Sequence, residues 1–287
     1  MPHRQQLLII DPQNDFCDLP ASHCPPDPAT GQACQPALPV AGAHADMQRL
    51  AGFIRQMGGA IDGITLTLDS HHRVDVAHPP FWRTGGGQAV SPFTPIRADD
   101  VRAGRFVPAD PAHLPRALAY LDALESRGRY TLMVWPVHCQ IGSWGHGVHA
   151  DVLAACNAWE DASLRPVHVV NKGSNIWTEH YSALEAEVPD PHDSGTLLNG
   201  PLLRRLDAAQ TLWVAGQASS HCVKATVEHL VAHLPSGRPQ RLVLLTDAMS
   251  PVSGFEAQAA GFAQAMRALG VRLQTCAQAA EAALAPQ

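Results

Sequence analysis

The chain has 287 residues, of which 46% are hydrophobic and 16% are charged, a composition typical of a soluble globular protein with a large core. A formal net charge of −6, without any cluster of lysine and arginine, excludes the usual basic surface for nucleic acid. No apolar run approaches the ~20 residues that span a bilayer, and the first run is too short for a signal peptide. We therefore expect a cytoplasmic protein whose partners include neither nucleic acid nor membrane.

Short apolar runs alternate with segments of helical spacing along the chain. The runs predict strands at 7–10, 63–68, 130–134, 167–171, 211–216, 241–246 and 271–275, and the spaced segments predict helices at 43–57, 112–126, 147–159, 202–206, 221–234 and 254–269. Strands that alternate with helices form a parallel sheet covered on both faces. The prediction is one α/β domain over residues 1–287, with three α/β/α layers around a central, mostly parallel sheet.

Five reactive side chains lie at the carboxyl ends of predicted strands or in the loop or turn that follows. They are Asp11, Asp69, His138, Lys172 and Cys222. Ligands of parallel sheets bind at the carboxyl ends of the strands. We therefore expect the five side chains to line one functional site at that edge of the sheet.

Cys222 stands in the first turn of a predicted helix, after a strand that ends at Gly216. The unpaired N–H groups and positive dipole end of that turn stabilise a thiolate, so we expect a lowered thiol pKa. The same N–H groups can hold an oxyanion. The alternative is that Cys222 is a small buried hydrophobic residue, as free cysteines often are.

Lysine occurs only twice, at Lys172 and Lys224, against eighteen arginines. Lys172 lies at the end of an apolar run, where its charge can hold a carboxylate in the ionised state. Asp11, Lys172 and Cys222 form a plausible nucleophilic set, in which the carboxylate takes and returns the thiol proton. Taken singly, Asp11 is better explained as a turn residue and Lys172 as a surface charge.

Three motifs resemble those of the isochorismatase-like cysteine hydrolases, and most closely those of the nicotinamidases. They are LIIDPQNDF at 8–16, NKG at 171–173 and GQASSHCV at 216–223. The resemblance implies that Asp11, Lys172 and Cys222 are catalytic. It also implies a cis peptide bond before Ala218 and an oxyanion hole formed by the N–H groups of Ala218 and Cys222.

Histidines and aspartates between residues 69 and 139 suggest a metal site. The sequence DSH at 69–71, then His78, then WPVHC at 135–139, resembles the nicotinamidase metal site. The resemblance implies one divalent ion on Asp69, His71, His78 and His138 that holds the pyridine nitrogen of the substrate. Zinc is expected first, with iron or manganese as alternatives.

Other residues leave alternatives to this metal site. His72 and Asp75 lie in the same stretch and are alternative ligands, and any one of the sixteen histidines is weak evidence alone. Cys17, Cys24 and Cys34 lie near His23, but without the close C-x-x-C pairing of a structural zinc site. We expect these thiols to be reduced and free of metal.

Phe16 and Trp135 match aromatic walls of the nicotinamidase pocket, and we place Trp177 and His221 in the same pocket, with core packing as the alternative. The resemblance implies hydrolysis of nicotinamide through a cysteine thioester. The chain is longer than typical bacterial nicotinamidases, with insertions near 17–40, 80–110 and 178–200. These insertions leave open another small amide or ureide as substrate, and a homo-oligomer.

Two other classes fit the residues less well than the hydrolase. A dinucleotide-binding dehydrogenase requires a G-x-G-x-x-G turn after the first strand, and this chain has Asp11-Pro12-Gln13-Asn14 there. A binding protein without catalysis does not require the set of Asp11, Lys172 and Cys222. Hydrolysis of a vinyl ether by this fold does not require the nucleophilic cysteine. The residues therefore favour a cysteine amidohydrolase.

Overall fold

The computed structural model describes residues 5–285. Its strands are β1 (Gln5–Ile10), β2 (Gly63–Asp69), β3 (Trp82–Thr84), β4 (Thr94–Ile96), β5 (Phe106–Pro108), β6 (Leu132–Val134), β7 (His168–Lys172), β8 (Thr211–Gly216), β9 (Leu242–Leu245) and β10 (Arg272–Gln274). Its α-helices are α1 (Ala43–Met57), α2 (Ala98–Arg102), α3 (Leu114–Arg127), α4 (Ala150–Ser163), α5 (Gly200–Asp207), α6 (Cys222–His233), α7 (Glu256–Ala268) and α8 (Cys276–Leu284). None of these helices combines the length and apolarity needed to cross a bilayer.

The main sheet has six strands in the order β10-β9-β8-β1-β2-β7, and every neighbouring pair is parallel. Four successive residues of β1, from Leu7 to Ile10, are fully buried. Because successive side chains of a strand point to opposite faces, both faces of the sheet are covered. Helix α1 packs against α4 and α8, and α6 packs against α7. The predicted α/β fold with a central parallel sheet is confirmed.

One predicted strand lies outside this sheet. The strand–helix alternation predicts a place in the parallel sheet for residues 130–134, but β6 pairs antiparallel with β4 instead. A second antiparallel pair joins β3 to β5. These short ribbons pack with α3 around a second hydrophobic cluster that includes Trp82, Ile96 and Leu121. The apolar run of β6 therefore covers this smaller cluster, and its placement in the parallel sheet is wrong.

The end of the segment 17–40 is hydrogen-bonded to the backbone of Asp15 and Phe16. The Leu38 amide donates to the Asp15 carbonyl at 3.0 Å, and the Val40 amide donates to the Phe16 carbonyl at 3.0 Å. The side chain of Leu38 is buried. This insertion therefore reaches the carboxyl edge of the sheet beside Phe16.

Gly216 lets two central strands meet at that edge. Its φ is +123°, and a Cβ at this position would lie 1.9 Å from the carbonyl oxygen of Ile10. Only glycine tolerates both the backbone conformation and the close approach. The approach brings the end of β8, and therefore the start of α6, next to Asp11.

Candidate active site

Asp11, Lys172 and Cys222 converge at the carboxyl ends of β1, β7 and β8. Lys172 Nζ lies 2.9 Å from Asp11 Oδ2 and 3.6 Å from Cys222 Sγ. Thr67 Oγ1 donates to Asp11 Oδ1 at 2.6 Å. All three predicted residues are at most 5% exposed. The structure therefore places a carboxylate, an ammonium and a thiol in mutual contact and out of bulk water.

Lys172 lies between two carboxylates. Besides Asp11, its Nζ donates to Asp69 Oδ1 at 3.1 Å and to the His180 carbonyl at 3.0 Å. Burial opposes the charge, but the Asp11 and Asp69 carboxylates outweigh it and hold the pKa of Lys172 well above its usual value. Lys172 is therefore a fixed cation, which favours ionised carboxylates beside it.

The thiol of Cys222 differs from the expectation. Burial, together with the neighbouring carboxylates of Asp11 and Asp69, raises the pKa of Cys222 well above its usual value despite the opposing charge of Lys172. The predicted lowering of this pKa by the helix N-terminus is therefore wrong for this site. Burial also raises the pKa of Asp11, against the effect of Lys172. This resting arrangement favours a neutral thiol beside a carboxyl group that is ready to accept its proton.

Two backbone amides next to Cys222 have no acceptor. Within residues 5–285, no hydrogen-bond acceptor lies at the N–H groups of Ala218 and Cys222, and both residues are buried. The peptide bond between Gln217 and Ala218 is cis, as the motif resemblance implies. Unpaired buried N–H groups are uncommon, and these two lie where a carbonyl oxygen attached to Cys222 would need donors.

Three of the predicted metal ligands form a compact group. His71, His78 and His138 are buried, and each offers a ring nitrogen within 4.8 Å of the others. Asp69 Oδ2 lies 3.1 Å from His71 Nε2 and 3.5 Å from His138 Nε2. The structure therefore brings together all four of the side chains named from the sequence.

The second ring nitrogen of each histidine is already engaged. His71 Nδ1 lies 3.1 Å from Asp75 Oδ2. His78 Nδ1 contacts the carbonyl of His72 at 3.1 Å, and His138 Nδ1 contacts the carbonyl of Pro136 at 2.8 Å. Acceptors of this kind fix the tautomer of a metal-binding histidine. The Nε2 atoms of His71 and His78 remain inside the group, where His78 Nε2 lies 3.2 Å from His138 Nδ1. Asp75 therefore contacts His71, and His72 contacts His78 through its backbone carbonyl. The His72 side chain is exposed.

The protonation of these histidines suits a cation. Burial and the other two histidines lower the pKa of His78 to about 2, so its ring is neutral. Burial opposes a charge on His71, but Asp69 and Asp75 outweigh it and raise the pKa of His71 well above its usual value. A divalent metal replaces such a proton when it binds. Three imidazoles and one carboxylate therefore fit a divalent ion of the zinc, iron or manganese type.

Asp69 is shared by both halves of the site, and its position is closely constrained. Gln13 holds the Asp69 backbone with two hydrogen bonds, at 2.7 Å to the amide and 2.8 Å to the carbonyl. Gly173 has a φ of +85°, and a Cβ there would lie 2.7 Å from Asp69 Oδ1. Any residue larger than glycine after Lys172 would collide with the Asp69 carboxylate. Gly173 therefore permits the contact between Lys172 and Asp69.

A small cavity of about 20 Å³ lies against Cys222. Its walls include three of the predicted pocket residues, Phe16, Trp135 and His221. This volume holds one water molecule, so an aromatic ring enters only when the walls move outward. The fourth predicted pocket residue does not line the cavity. Trp177 packs against Phe81 and His113, and Arg116 stacks on its ring at 4.2 Å, so core packing describes it.

Four wall residues of this cavity are not indicated by the sequence patterns. They are Leu38, Glu179, Tyr181 and Val252. Trp135, which the sequence predicts, donates through Nε1 to Oη of Tyr181, which it does not predict, at 3.1 Å. None of the four ends a strand or starts a helix, so strand-end reasoning has no signal for them. Gln13 could have been found, because it lies inside the first motif.

No protein-family model matches the chain, and no curated protein matches it. Several solved structures, however, are similar to it over nearly its whole length. A nicotinamidase/pyrazinamidase of Acinetobacter baumanii has a TM-score of 0.61 at 20% identity, over 96% of this chain and 98% of that one. The yeast nicotinamidase bound to the inhibitor nicotinaldehyde has a TM-score of 0.61 at 16% identity, over 94% of this chain and 99% of that one.

A pyrazinamidase of Pyrococcus horikoshii in complex with zinc is also similar, with a TM-score of 0.51 at 16% identity over 95% of this chain and 99% of that one. At such identities, the likeness establishes a shared fold. This chain therefore has the fold of the nicotinamidases over nearly its whole length.

Proposed function

We propose that this protein is a metal-dependent amidohydrolase that converts nicotinamide to nicotinate and ammonia through a thioester on Cys222. The observation that carries the proposal is the contact of Cys222 with Lys172 and Asp11, beside two unpaired backbone amides. The neighbouring histidine group and the fold shared with nicotinamidases support the substrate class.

The first half of the reaction forms the thioester. Asp11 takes the proton of the Cys222 thiol as Sγ bonds to the carboxamide carbon. The electron pair of the C=O bond moves to oxygen, where the N–H groups of Ala218 and Cys222 stabilise it. Asp11 then gives the proton to the amide nitrogen, the C–N bond breaks, and ammonia leaves. Lys172 holds Asp11 in place and favours its ionised form before the proton is taken and after it is given up.

The second half returns the enzyme to its resting state. Asp11 takes a proton from a water molecule as the water oxygen bonds to the thioester carbon. The same two amides hold the oxyanion. When the C–S bond breaks, the sulfur recovers the proton from Asp11 and the carboxylic acid leaves. The raised pKa of Cys222 suits this step, since the thiol is the stable form between turnovers.

Asp69, His71, His78 and His138 would hold the metal ion in the proposed enzyme. When bound, the ion supplies a coordination position for the pyridine nitrogen and so orients the ring. Phe16 and Trp135 are aromatic walls of the cavity, and they pack against a planar ring better than against an aliphatic amide. The protein residues thus fix both ends of a small aromatic amide.

The test is ammonia release from nicotinamide by the purified protein, before and after chelation. We expect release that is lost on chelation and restored by zinc, iron or manganese. A protein that binds metal and has a reactive Cys222, but releases no ammonia from nicotinamide, would contradict the proposal.

A second candidate is hydrolysis of another small amide or ureide on the same fold. Leu38, from the segment 17–40, is part of the cavity wall, so an insertion shapes the space that the substrate fills. Turnover of such a substrate by protein without bound metal would favour this alternative over the nicotinamidase.

A further inference from the structure

The turn that carries the Ala218 amide is joined to helix α1 by a buried hydrogen bond. Gln217 Nε2 donates to Asp46 Oδ2 at 2.9 Å, across 171 residues of sequence. Gln217 is fully buried and Asp46 is 3% exposed. Asp46 lies in the first turn of α1. The bond therefore connects this helix to the residue directly before one of the two unpaired amides of the candidate active site.

The side-chain amide of Gln217 is held at both ends. Besides the bond to Asp46, its Oε1 accepts from the Ser250 amide at 3.3 Å. The backbone amide of Gln217 donates to the Ile10 carbonyl at 2.8 Å. Because a peptide unit is planar, the direction of the Ala218 N–H group follows the orientation of the Gln217 carbonyl group to which it is joined. A Gln217 that cannot turn therefore fixes where that N–H group points.

The other side of Ala218 is held by the start of α6. Its carbonyl accepts from the amides of His221 and Val223, at 3.1 Å each. The orientation of Ala218 thus depends on α6 on one side and on Gln217 on the other. Donors stabilise an oxyanion best when they are oriented before the charge develops. The contacts of Gln217 therefore bear directly on the proposed reaction.

Helix α1 does not require Asp46 as a cap. Asp18 accepts from two backbone amides at the start of this helix, at 2.7 and 2.8 Å. Asp46 directs its second oxygen at Arg49, at 2.6 Å. The Arg49 side chain is 45% exposed, so water can replace Asp46 as its partner. The Gln217 amide is buried, and losing its acceptor there would cost free energy.

We propose that Asp46 is a positioning residue that acts through Gln217 to hold the Ala218 N–H group in the direction required by the oxyanion. This inference rests on the proposed function, in which that N–H group stabilises the charge on the carboxamide oxygen. Asp46 does not line the cavity, so it does not touch the substrate. Its effect is therefore on the transition state, and not on binding of the pyridine ring.

Two substitutions at residue 46 separate this role from the charge pair with Arg49. Asp46→Leu removes the acceptor of the Gln217 amide, whereas Asp46→Asn keeps one carbonyl oxygen for it. Both variants lose the negative charge opposite Arg49 and its contribution to stability. We expect Asp46→Leu to lower kcat for nicotinamide about tenfold or more, with KM within about twofold of the native value. Asp46→Asn should recover most of that loss.

A second readout is inhibition by pyridine-3-carbaldehyde, the aldehyde analogue of nicotinamide. The Cys222 thiol adds to its C=O bond: sulfur bonds to carbon, one electron pair of the C=O bond moves to oxygen, and that oxygen receives the thiol proton. The adduct oxygen takes the place of the oxyanion, and no C–N bond has to break. Asp46→Leu should weaken this inhibition by about the factor by which it lowers kcat. Inhibition by pyridine, which offers only the ring nitrogen, should not change.

Gln217→Met tests the same link from its other end and leaves the pair of Asp46 and Arg49 intact. It should lower kcat as Asp46→Leu does, and the double variant should lower it no further, because residues that act through one contact are not additive. Asp207→Leu is the matched control. Asp207 is also paired with an arginine, Arg241, at 3.3 Å, but it lies outside the cavity. This control should lose stability and keep its kcat.

The outcomes separate this inference from the function on which it rests. A native kcat in Asp46→Leu or in Gln217→Met would overturn the role of Asp46, as would equal losses in Asp46→Leu and Asp46→Asn. A loss of kcat without a loss of aldehyde inhibition would overturn it as well. If circular dichroism shows that Asp46→Leu does not fold, the role requires a loss of kcat in Gln217→Met and none in Asp46→Asn. If the native, metal-loaded protein does not turn over nicotinamide, the proposed function itself is wrong.

Discussion

Two groups of buried or half-buried charges, the catalytic cluster and the arginine cluster, differ in their surroundings. The catalytic cluster consists of Asp11, Asp69, Lys172 and Cys222. The arginine cluster consists of Arg129, Glu187, Glu228 and Lys224. In the latter, Arg129 lies 3.3 Å from Glu187 Oε2 and 3.2 Å from Glu228 Oε2, and Lys224 lies 3.0 Å from Glu228.

Both clusters contain carboxyl groups with strongly shifted pKa values. Burial raises the pKa of Glu187 to about 7, although Arg129 opposes the shift, and burial likewise raises that of Asp11. Only the catalytic cluster adjoins a cavity, unpaired backbone amides and a group of histidines within residues 5–285. A shifted pKa alone therefore does not identify a functional site. A reactive atom, a place for the substrate and donors for the developing charge must coincide.

The largest effect should come from removal of the thiol. We expect Cys222→Ala to lower kcat/KM for nicotinamide by at least about ten-thousand-fold, because no other group can form the thioester. The control is Cys156→Ala, a buried cysteine of α4 outside the cavity, which should keep its activity. Initial rates of ammonia release measure both. Substantial turnover by Cys222→Ala would contradict the mechanism.

A smaller effect, on metal affinity, is expected at Asp75, which contacts one histidine of the proposed metal site. Asp75→Asn should weaken metal binding about 10- to 100-fold, because Asp75 fixes the ring of His71 through a contact of 3.1 Å. Metal titration of the apo protein measures the affinity, and excess metal should restore activity. Glu228→Gln, in the arginine cluster, should leave metal affinity unchanged. Equal affinities in the native and Asp75→Asn proteins would remove Asp75 from the metal site.

The arginine cluster should affect stability without affecting chemistry. Arg129→Met leaves the carboxylates of Glu187 and Glu228 without their shared cation, and we expect a loss of about 1–3 kcal/mol in the free energy of unfolding, since Arg129 is partly exposed. The kcat of the folded protein should not change. Urea unfolding and ammonia release measure the two quantities. Arg102→Met, which removes an exposed pair with Asp122, is the control and should cost less.

The last effect concerns pH. The folded state binds the Glu187 proton more tightly than the unfolded state does, because burial raises its pKa from 4.5 to about 7. The free energy of unfolding should therefore fall as the pH rises from about 4.5 to about 7, by about 2–3 kcal/mol from this group. Glu187→Gln should flatten that fall in urea unfolding at pH 5 and pH 7. An identical decline in both proteins would exclude Glu187 as its source.

The sequence by itself determined the α/β fold and the residues that stand at strand ends. Local patterns suffice for this, because a short apolar run indicates a strand and the polar residue after it marks the strand's carboxyl end. Helix α1 has in the structure the bounds that its pattern predicts, Ala43–Met57. Asp11, Asp69, Lys172 and Cys222 meet because parallel strands carry their carboxyl ends to one edge.

Only the tertiary structure decided what surrounds those residues. Whether Trp135 or Trp177 faces the cavity, and whether β6 joins the main sheet, depends on contacts between segments far apart in the chain. The pKa of Cys222 depends on how many carboxylates and how little water surround it in space, which helix position alone does not specify. Glu179 belongs to none of the three motifs, and only the packed structure places it in the wall of the cavity next to Cys222.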